Sequence, residues 1–333
     1  MGLEPVLLDA GLVPKKIDGD WEVSAGDVGE TVVNSANGDV IAEVPFSTES
    51  EVDEVVTAAQ DAFGDWSTRP VEERIQPLFE LKGLLEDHQE EIAETLVNEH
   101  GKTFAEAMGE IRRGIENVEV ATGIPSLMQD GHLQNAAPGI DETAIRKPLG
   151  VFAAITPFNF PAMIPLWFMP YAVGAGNTYL IKPSEKTPLC TNLLMQLIDE
   201  AGFPDGVINQ VNGGPDTVNA LLAHPGIEGV SFVGSTPVAK HVYATGAEHG
   251  KRMQVQGGAN NFVVVAPSAN LDFAAEKTLS SAMANSGQRC LANPNVIVVE
   301  SVTEEFTDLL LEKARDYTVT DGLDEDVDMG PLI

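Results

Sequence analysis

The sequence is poor in positive charge. Only 19 lysines and arginines stand among 333 residues, against 51 aspartates and glutamates, for a formal net charge of −32. A field that negative repels phosphate backbones and anionic headgroups, and no basic cluster interrupts it, which excludes nucleic acid and membrane surfaces as expected partners. Cysteine is scarcer still: Cys190 and Cys290 are the only two, too few for a disulfide framework. The segment Met1 to Gly11 has no cationic stretch followed by an apolar one, so the expected location is cytoplasmic. The six histidines lack ligand spacing, and no HExxH pattern occurs, so no metal site is expected. One stretch, Pro148 to Ile181, is free of charge, but Pro157, Pro161, Pro165 and Pro170 argue against a spanning helix and predict a buried, irregular segment.

What is present is a globular composition. With 43% hydrophobic residues the chain is too apolar for a disordered acidic polymer, and its length suits two or three domains. Charge excess of this size opposes compaction unless concentrated salt screens it, which predicts a halophilic protein.

The pattern along the chain predicts an α/β fold. After a β-like opening from Gly19 to Val44, apolar residues recur at helical spacing in three sets: Val52 to Phe63, Ile75 to Leu96, and Ile111 to Val118. Gly101 reads as a stop and Thr103 as the next start. From Val151 short apolar runs alternate with helices: 151–155, 177–182, 207–211, 229–233, 261–265 and 295–300. That alternation predicts mainly parallel sheet with crossover helices.

Several residues could carry chemistry. Cys290 follows an amphipathic helix over 273–284 and precedes a strand, and neighbouring Arg289 favours a thiolate; most lone cysteines are small core residues, the reading that fits Cys190. Asn159, among prolines and aromatics just beyond a strand, could donate its amide to an oxyanion or simply satisfy its own backbone. The usual dinucleotide fingerprint is missing, because Gly174-Ala175-Gly176 precedes a strand. Yet Phe232 to Pro237 runs from strand into helix with a hydroxyl at the cap and proline at the first helical position, which offers free N–H groups to a pyrophosphate. Lys182-Pro183-Ser184-Glu185 ends another strand and could bind ribose hydroxyls; its carboxylate would repel a 2′-phosphate, favouring NAD over NADP. Each of these motifs alone is an ordinary cap or turn. The acidic stretch Asp321 to Asp328 lacks the glycine and terminal glutamate of a calcium loop and reads as solvated surface.

In series, PFNFPAMIPLW, GNTYLIKPSEKTPL, GFPDGVINQVNGG, GVSFVGS and SGQRC resemble the aldehyde dehydrogenase superfamily from about Trp21 onward. PFNFPAMIPLWFMPYA, RRGIENVEVATGIPSLM, HGKRMQ and the arginine of GQRC most resemble its CoA-acylating, methylmalonate-semialdehyde branch. The resemblance implies an aldehyde dehydrogenase-like fold, with a Rossmann-type NAD domain and an incomplete α/β catalytic domain. It assigns residues 1–126 and 148–258 to NAD binding, 127–147 to an oligomerisation or bridging segment and 259–333 to a truncated catalytic domain. It further implies Cys290 as nucleophile, with Asn159 and the Cys290 N–H as oxyanion hole. NAD contacts would come from Thr156, Phe158, Lys182, Glu185, Gly213 and Ser235. Arg113 and Arg289 become candidates for a substrate carboxylate, although Arg113 read alone is as easily a solvated helix residue; Arg112 is assigned to the surface.

Two departures are informative. Hydrolytic members carry a glutamate 34 residues before the nucleophile, where this chain has Gln256, which cannot take a proton from water. The acylating branch also lacks that glutamate, so Gln256 favours release of the acyl group by CoA as co-substrate. Asn260 replaces the lysine usual in that motif. The family also continues beyond the closing Gly330-Pro331-Leu332-Ile333, so the expectation is a truncated chain, a homo-oligomer (tetramer or dimer) if full length. The expected reaction is NAD-dependent oxidation of a small malonate or methylmalonate semialdehyde. The alternatives are a CoA-independent enzyme of succinate or general type, and an inactive NAD-binding remnant.

Overall fold

The structure, a computed structural model, describes residues 2–9 and 11–333. It opens with β1 (Lys15–Ile17), β2 (Asp20–Glu22), β3 (Val28–Val33) and β4 (Val40–Pro45). Six helices follow: α1 (Glu49–Trp66), α2 (Val71–Arg74), α3 (Gln76–Asp87), α4 (Gln89–His100), α5 (Phe104–Ala121) and α6 (Ile124–Leu127). α1 and α5 each begin in a capping box, Thr48 with Glu51 and Thr103 with Glu106, in which hydroxyl and carboxylate satisfy N–H groups that the first turn leaves free. α4 ends at Gly101, whose φ of +91° is a left-handed conformation that other residues adopt only under strain.

The hairpin β5 (His132–Ala137) and β6 (Ile140–Thr143) stands out from the body with nearly every residue exposed. Neither strand was expected, because a ribbon that buries neither face has no apolar alternation to read. Next come β7 (Val151–Ile155), α7 (Met163–Gly174), β8 (Thr178–Lys182), α8 (Pro188–Glu200), β9 (Ile208–Gln210), α9 (Pro215–Ala223), β10 (Ile227–Val233), α10 (Thr236–Glu248) and β11 (Arg252–Gln256). The middle of the uncharged stretch is not irregular as expected: it forms α7, with Pro165 in its first turn and Pro170 inside. Pro170 leaves one carbonyl without its helical donor, but α7 is enclosed, and donors from outside serve its last turn: Trp66 Nε1 reaches Val173 O at 3.0 Å and Arg74 Nε reaches Gly174 O at 3.1 Å. Another correction concerns Pro237, which is the second helical residue of α10 rather than the first.

Seven strands form one sheet in the order β11-β10-β7-β8-β9-β1-β2, parallel from β11 to β9 and antiparallel beyond. The parallel part is doubly wound: the chain moves outward from β7 through β8 to β9, then returns to the other side of β7 for β10 and β11. Both faces are covered, so neighbouring residues of a strand face different layers. Ala154, Tyr179 and Ile181 face the larger layer, with α3, α4, α5, α7 and α8. Ala153, Ile155, Leu180 and Phe232 face α1, α9 and α10.

The remaining elements are β12 (Phe262–Val265), α11 (Leu271–Met283), β13 (Asn295–Val298) and α12 (Thr303–Arg315). β12 and β13 pair in parallel apart from the main sheet, over a small core of Val265, Ala275 and Phe306. Among the described residues no helix is long and apolar enough to cross a membrane.

Candidate active site

Two loops meet beside α5. The first runs from the carboxyl end of β7, where Asn159 is held at both ends of its residue. Its backbone carbonyl accepts from Lys102 Nζ at 2.8 Å and Asn285 Nδ2 at 3.1 Å, and its side-chain Nδ2 donates to Gln288 O at 2.6 Å. Lys102 is buried in an ion pair with Glu110 of α5, whose other carboxylate oxygen accepts the N–H groups of Ala162 and Met163 at 2.8 and 3.1 Å. One buried pair thus pins the loop on both sides of Phe160.

The second loop carries the exposed thiol of Cys290. It begins with three successive left-handed residues, Asn285 (φ 55°), Ser286 (φ 55°) and Gly287 (φ 74°), at a cost of about 1–2 kcal/mol for each of the two that are not glycine. Contacts hold that conformation: Asn285 N donates to Glu106 Oε1 at 2.6 Å, and Ser286 Oγ donates to Gly330 O at 2.8 Å. Beyond the thiol, Asn261 Nδ2 donates to the carbonyls of Cys290 and Ala292 at 2.8 and 2.9 Å. Asn260 accepts from Asn295 Nδ2 at 2.6 Å, tying the starts of β12 and β13 together. Two acceptors in the thiol loop, Asn285 Oδ1 and Gln288 Oε1, are buried with no partner.

Cys290 opens into a cavity of about 610 Å³ walled by Phe160, Met163 and Trp167 and edged by charge. Arg113 and Arg289 both line it. They differ in engagement: Arg113, 68% exposed, is paired with Glu116 at 2.5 Å, whereas Arg289 makes no ion pair among the described residues. Arg112 lies outside, paired with Glu86 and Glu119 on the surface. Cys190 is the opposite kind of cysteine, fully buried at the start of α8, where burial and then Glu99 push its thiol up. His100 is also enclosed, stacked on Phe158 with both ring nitrogens unpartnered; burial drives its pKa down to about 2, so the ring is neutral.

The remaining predicted residues follow the carboxyl ends of β7, β8, β9 and β10, the edge of a doubly wound sheet at which ligands bind, and chain direction reverses there between β7 and β10. Thr156 follows β7 and is bonded to Lys182 O at the end of β8. Lys182 is buried, and desolvation lowers its pKa although Glu185 lies 3.2 Å away. Phe158 accepts from Thr187 Oγ1 through its carbonyl. Ser235 caps α10 without bonding any of its N–H groups, so hydroxyl and first-turn donors stay free. These donors and the Lys182–Glu185 pair fit a pyrophosphate and ribose hydroxyls. Gly213 lies after β9, where a Cβ would come within 2.0 Å of Thr217 Oγ1, so close packing already demands glycine there. Gln256 ends β11, exposed beside Gly234, and neither it nor Asn159 lines the thiol cavity.

The sequence pattern of the aldehyde dehydrogenase family matches residues 21–333. The chain belongs to that family. It is 47% identical to a malonate-semialdehyde dehydrogenase of Bacillus cereus (strain B4264), over 96% of this chain and 66% of that protein. The fold superposes on the crystal structure of methylmalonate-semialdehyde dehydrogenase from Oceanimonas doudoroffii with a TM-score of 0.95 and 40% identity, covering 97% of this chain and 66% of the other. A Sinorhizobium meliloti 1021 protein described as a methylmalonate-semialdehyde dehydrogenase and complexed with NAD gives 0.94 and 39%, covering 96% and 66%. The chain therefore spans just under two thirds of the length of these members of the family.

Sequence reasoning missed Glu110 and Lys102, which hold the loop after β7, Glu106, which holds the thiol loop, and Asn285, which bonds the two loops together. The available signal was the Thr103-x-x-Glu106 box, with Glu110 one turn further on the same face.

Proposed function

We propose that this chain carries the nucleophile and the dinucleotide site of an NAD-dependent, CoA-acylating semialdehyde dehydrogenase acting on malonate or methylmalonate semialdehyde. The observation that carries the reading is the bond from Asn159 Nδ2 to Gln288 O, which ties the amide to the loop two residues before Cys290, while Cys290 and Arg289, which makes no ion pair among the described residues, share one cavity. Arg289 accounts for a substrate carboxylate, because a guanidinium binds one through two parallel bonds. The Cys290 thiolate attacks the aldehyde carbon, and the amide of Asn159 and the Cys290 N–H donate to the oxygen as it gains charge. NAD, when bound, supplies the hydride acceptor. Its site is built from Thr156, Phe158, Lys182, Glu185, Gly213 and Ser235. Gln256, an amide where a base would stand, leaves the thioester to be displaced by CoA, whose thiol can arrive ionised. With methylmalonate semialdehyde as substrate, CO2 is also lost. The β5–β6 hairpin, exposed on both faces, fits a homo-oligomer contact.

The test is NADH formation from each semialdehyde in molar KCl, with and without CoA, on the wild-type protein and on Cys290→Ala. Turnover that requires CoA and disappears with the thiol is expected. Turnover retained by Cys290→Ala refutes the nucleophile, and equal rates without CoA refute acyl transfer to CoA.

A further inference from the structure

Outside the groups assigned above, two carboxylates on one face of α5 bond the loops that carry Asn159 and Cys290. Glu106 and Glu110 stand one helical turn apart, and each reaches a different loop. Glu110 accepts Ala162 N and Met163 N, and its partner Lys102 holds Asn159 O. Glu106 accepts Asn285 N at 2.6 Å with one oxygen, while the other closes the helix cap with Thr103 N at 3.1 Å. The loop with the amide donor and the loop with the thiol are thus both docked on a single helix, in addition to the bonds they make to each other.

We infer that Glu106 and Glu110 are positioning residues that set the separation of Asn159 from Cys290, with Glu106 fixing the left-handed thiol loop and Glu110 the loop after β7. Each carboxylate works through the backbone it accepts from. The inference rests on the roles proposed for Cys290 and Asn159. Glu106 does two jobs, one oxygen each, and the jobs can be separated. In Glu106→Gln the amide oxygen can still accept from Asn285 N while the amide nitrogen cannot serve Thr103 N. Thr103→Ala weakens the cap and leaves the Glu106 to Asn285 bond intact. Only Glu106→Ala releases the thiol loop.

Amide hydrogen exchange of the segment 284–291 and steady-state rates are measured on all three variants. Glu106→Ala is expected to exchange about tenfold faster in that segment and to lose about tenfold or more in kcat with KM little changed, because misplacement of reacting groups costs rate rather than affinity. Glu106→Gln and Thr103→Ala are expected to stay within about threefold of wild type in both, while sharing the loss of thermal stability that a weakened cap brings. Unchanged exchange over 284–291 in Glu106→Ala, or equal changes in all three variants, overturns the inference, and the exchange readout decides this whether or not the chain turns over. Failure of the catalytic reading looks different: Cys290→Ala then keeps its turnover while the exchange pattern still follows Glu106.

Discussion

Asn159 is restrained from three directions, by Lys102, by Asn285 and through its own amide by Gln288, which is the fixed geometry that the proposed role of an oxyanion donor requires. Asn159→Ala removes the donor but leaves the backbone carbonyl that Lys102 holds. It is expected to lower kcat by about 10²–10³ with folding intact, measured by initial rates beside a thermal melt; a kcat within about threefold of wild type would remove the oxyanion role. At Gln256 the expected change is a gain: Gln256→Glu supplies a base and acquires CoA-independent turnover. A variant still fully dependent on CoA would show that the side chain does not choose the route. The positions of Cys290, Asn159 and Arg289 between elements were legible in the sequence because each is a chemically distinctive residue beside a strand or helix pattern. Glu106 and Glu110 were not: the Thr103-x-x-Glu106 box marks only the start of a helix, and the loop partners of the two carboxylates lie 179 and 52 positions away.

At the scale of elements, α4 and α8 are joined through one carboxylate. Glu99, fully buried, accepts Leu189 N at 2.8 Å and Cys190 N at 2.9 Å, which satisfies two free donors in the first turn of α8. Those bonds favour its charged form, but burial outweighs them and raises its pKa from 4.5 to about 8. A group with a raised folded pKa binds its proton more tightly folded than unfolded. The contribution of Glu99 is therefore most favourable below about pH 4.5 and is lost progressively as pH rises towards about 8. Glu99→Gln does not titrate, so thermal melts from about pH 5 to about pH 8 should show a shallower alkaline decline than wild type, whatever the change in absolute stability. Identical slopes would mean that Glu99 is ionised in the fold across this range. The helices and parallel strands were legible because each buries one or two faces with the matching period. The β5–β6 hairpin buries neither, β11 lies at the sheet edge with alternate residues exposed, and α7 was hidden by its prolines, two of which, Pro165 and Pro170, lie within it.

For the whole molecule the deciding feature is where the few cations are placed. Five of the eleven lysines, Lys15, Lys16, Lys102, Lys182 and Lys251, are buried, as is Arg74. Lys15, Lys16, Lys102 and Lys182 neutralise Glu51, Asp199, Glu110 and Glu185, which tie loops and sheet together. Cations placed inside are unavailable to the surface, where pairs such as Arg112 with Glu86 are few against the carboxylates around them. Two salt effects then oppose each other: screening weakens the surface pairs, each worth about 0–1 kcal/mol, and it weakens repulsion among the unpaired carboxylates. With 51 acidic groups and 19 basic ones the second effect dominates. Folding concentrates that charge, so the repulsion falls more heavily on the native state, and molar salt shortens its range to about 3 Å. The melting temperature should therefore rise from dilute buffer to molar KCl, and most of the rise should come where the screening length drops below the spacing of surface charges. A melting temperature indifferent to KCl would mean that the acidic surface is already neutralised by its own pairs and that the excess charge has no bearing on stability.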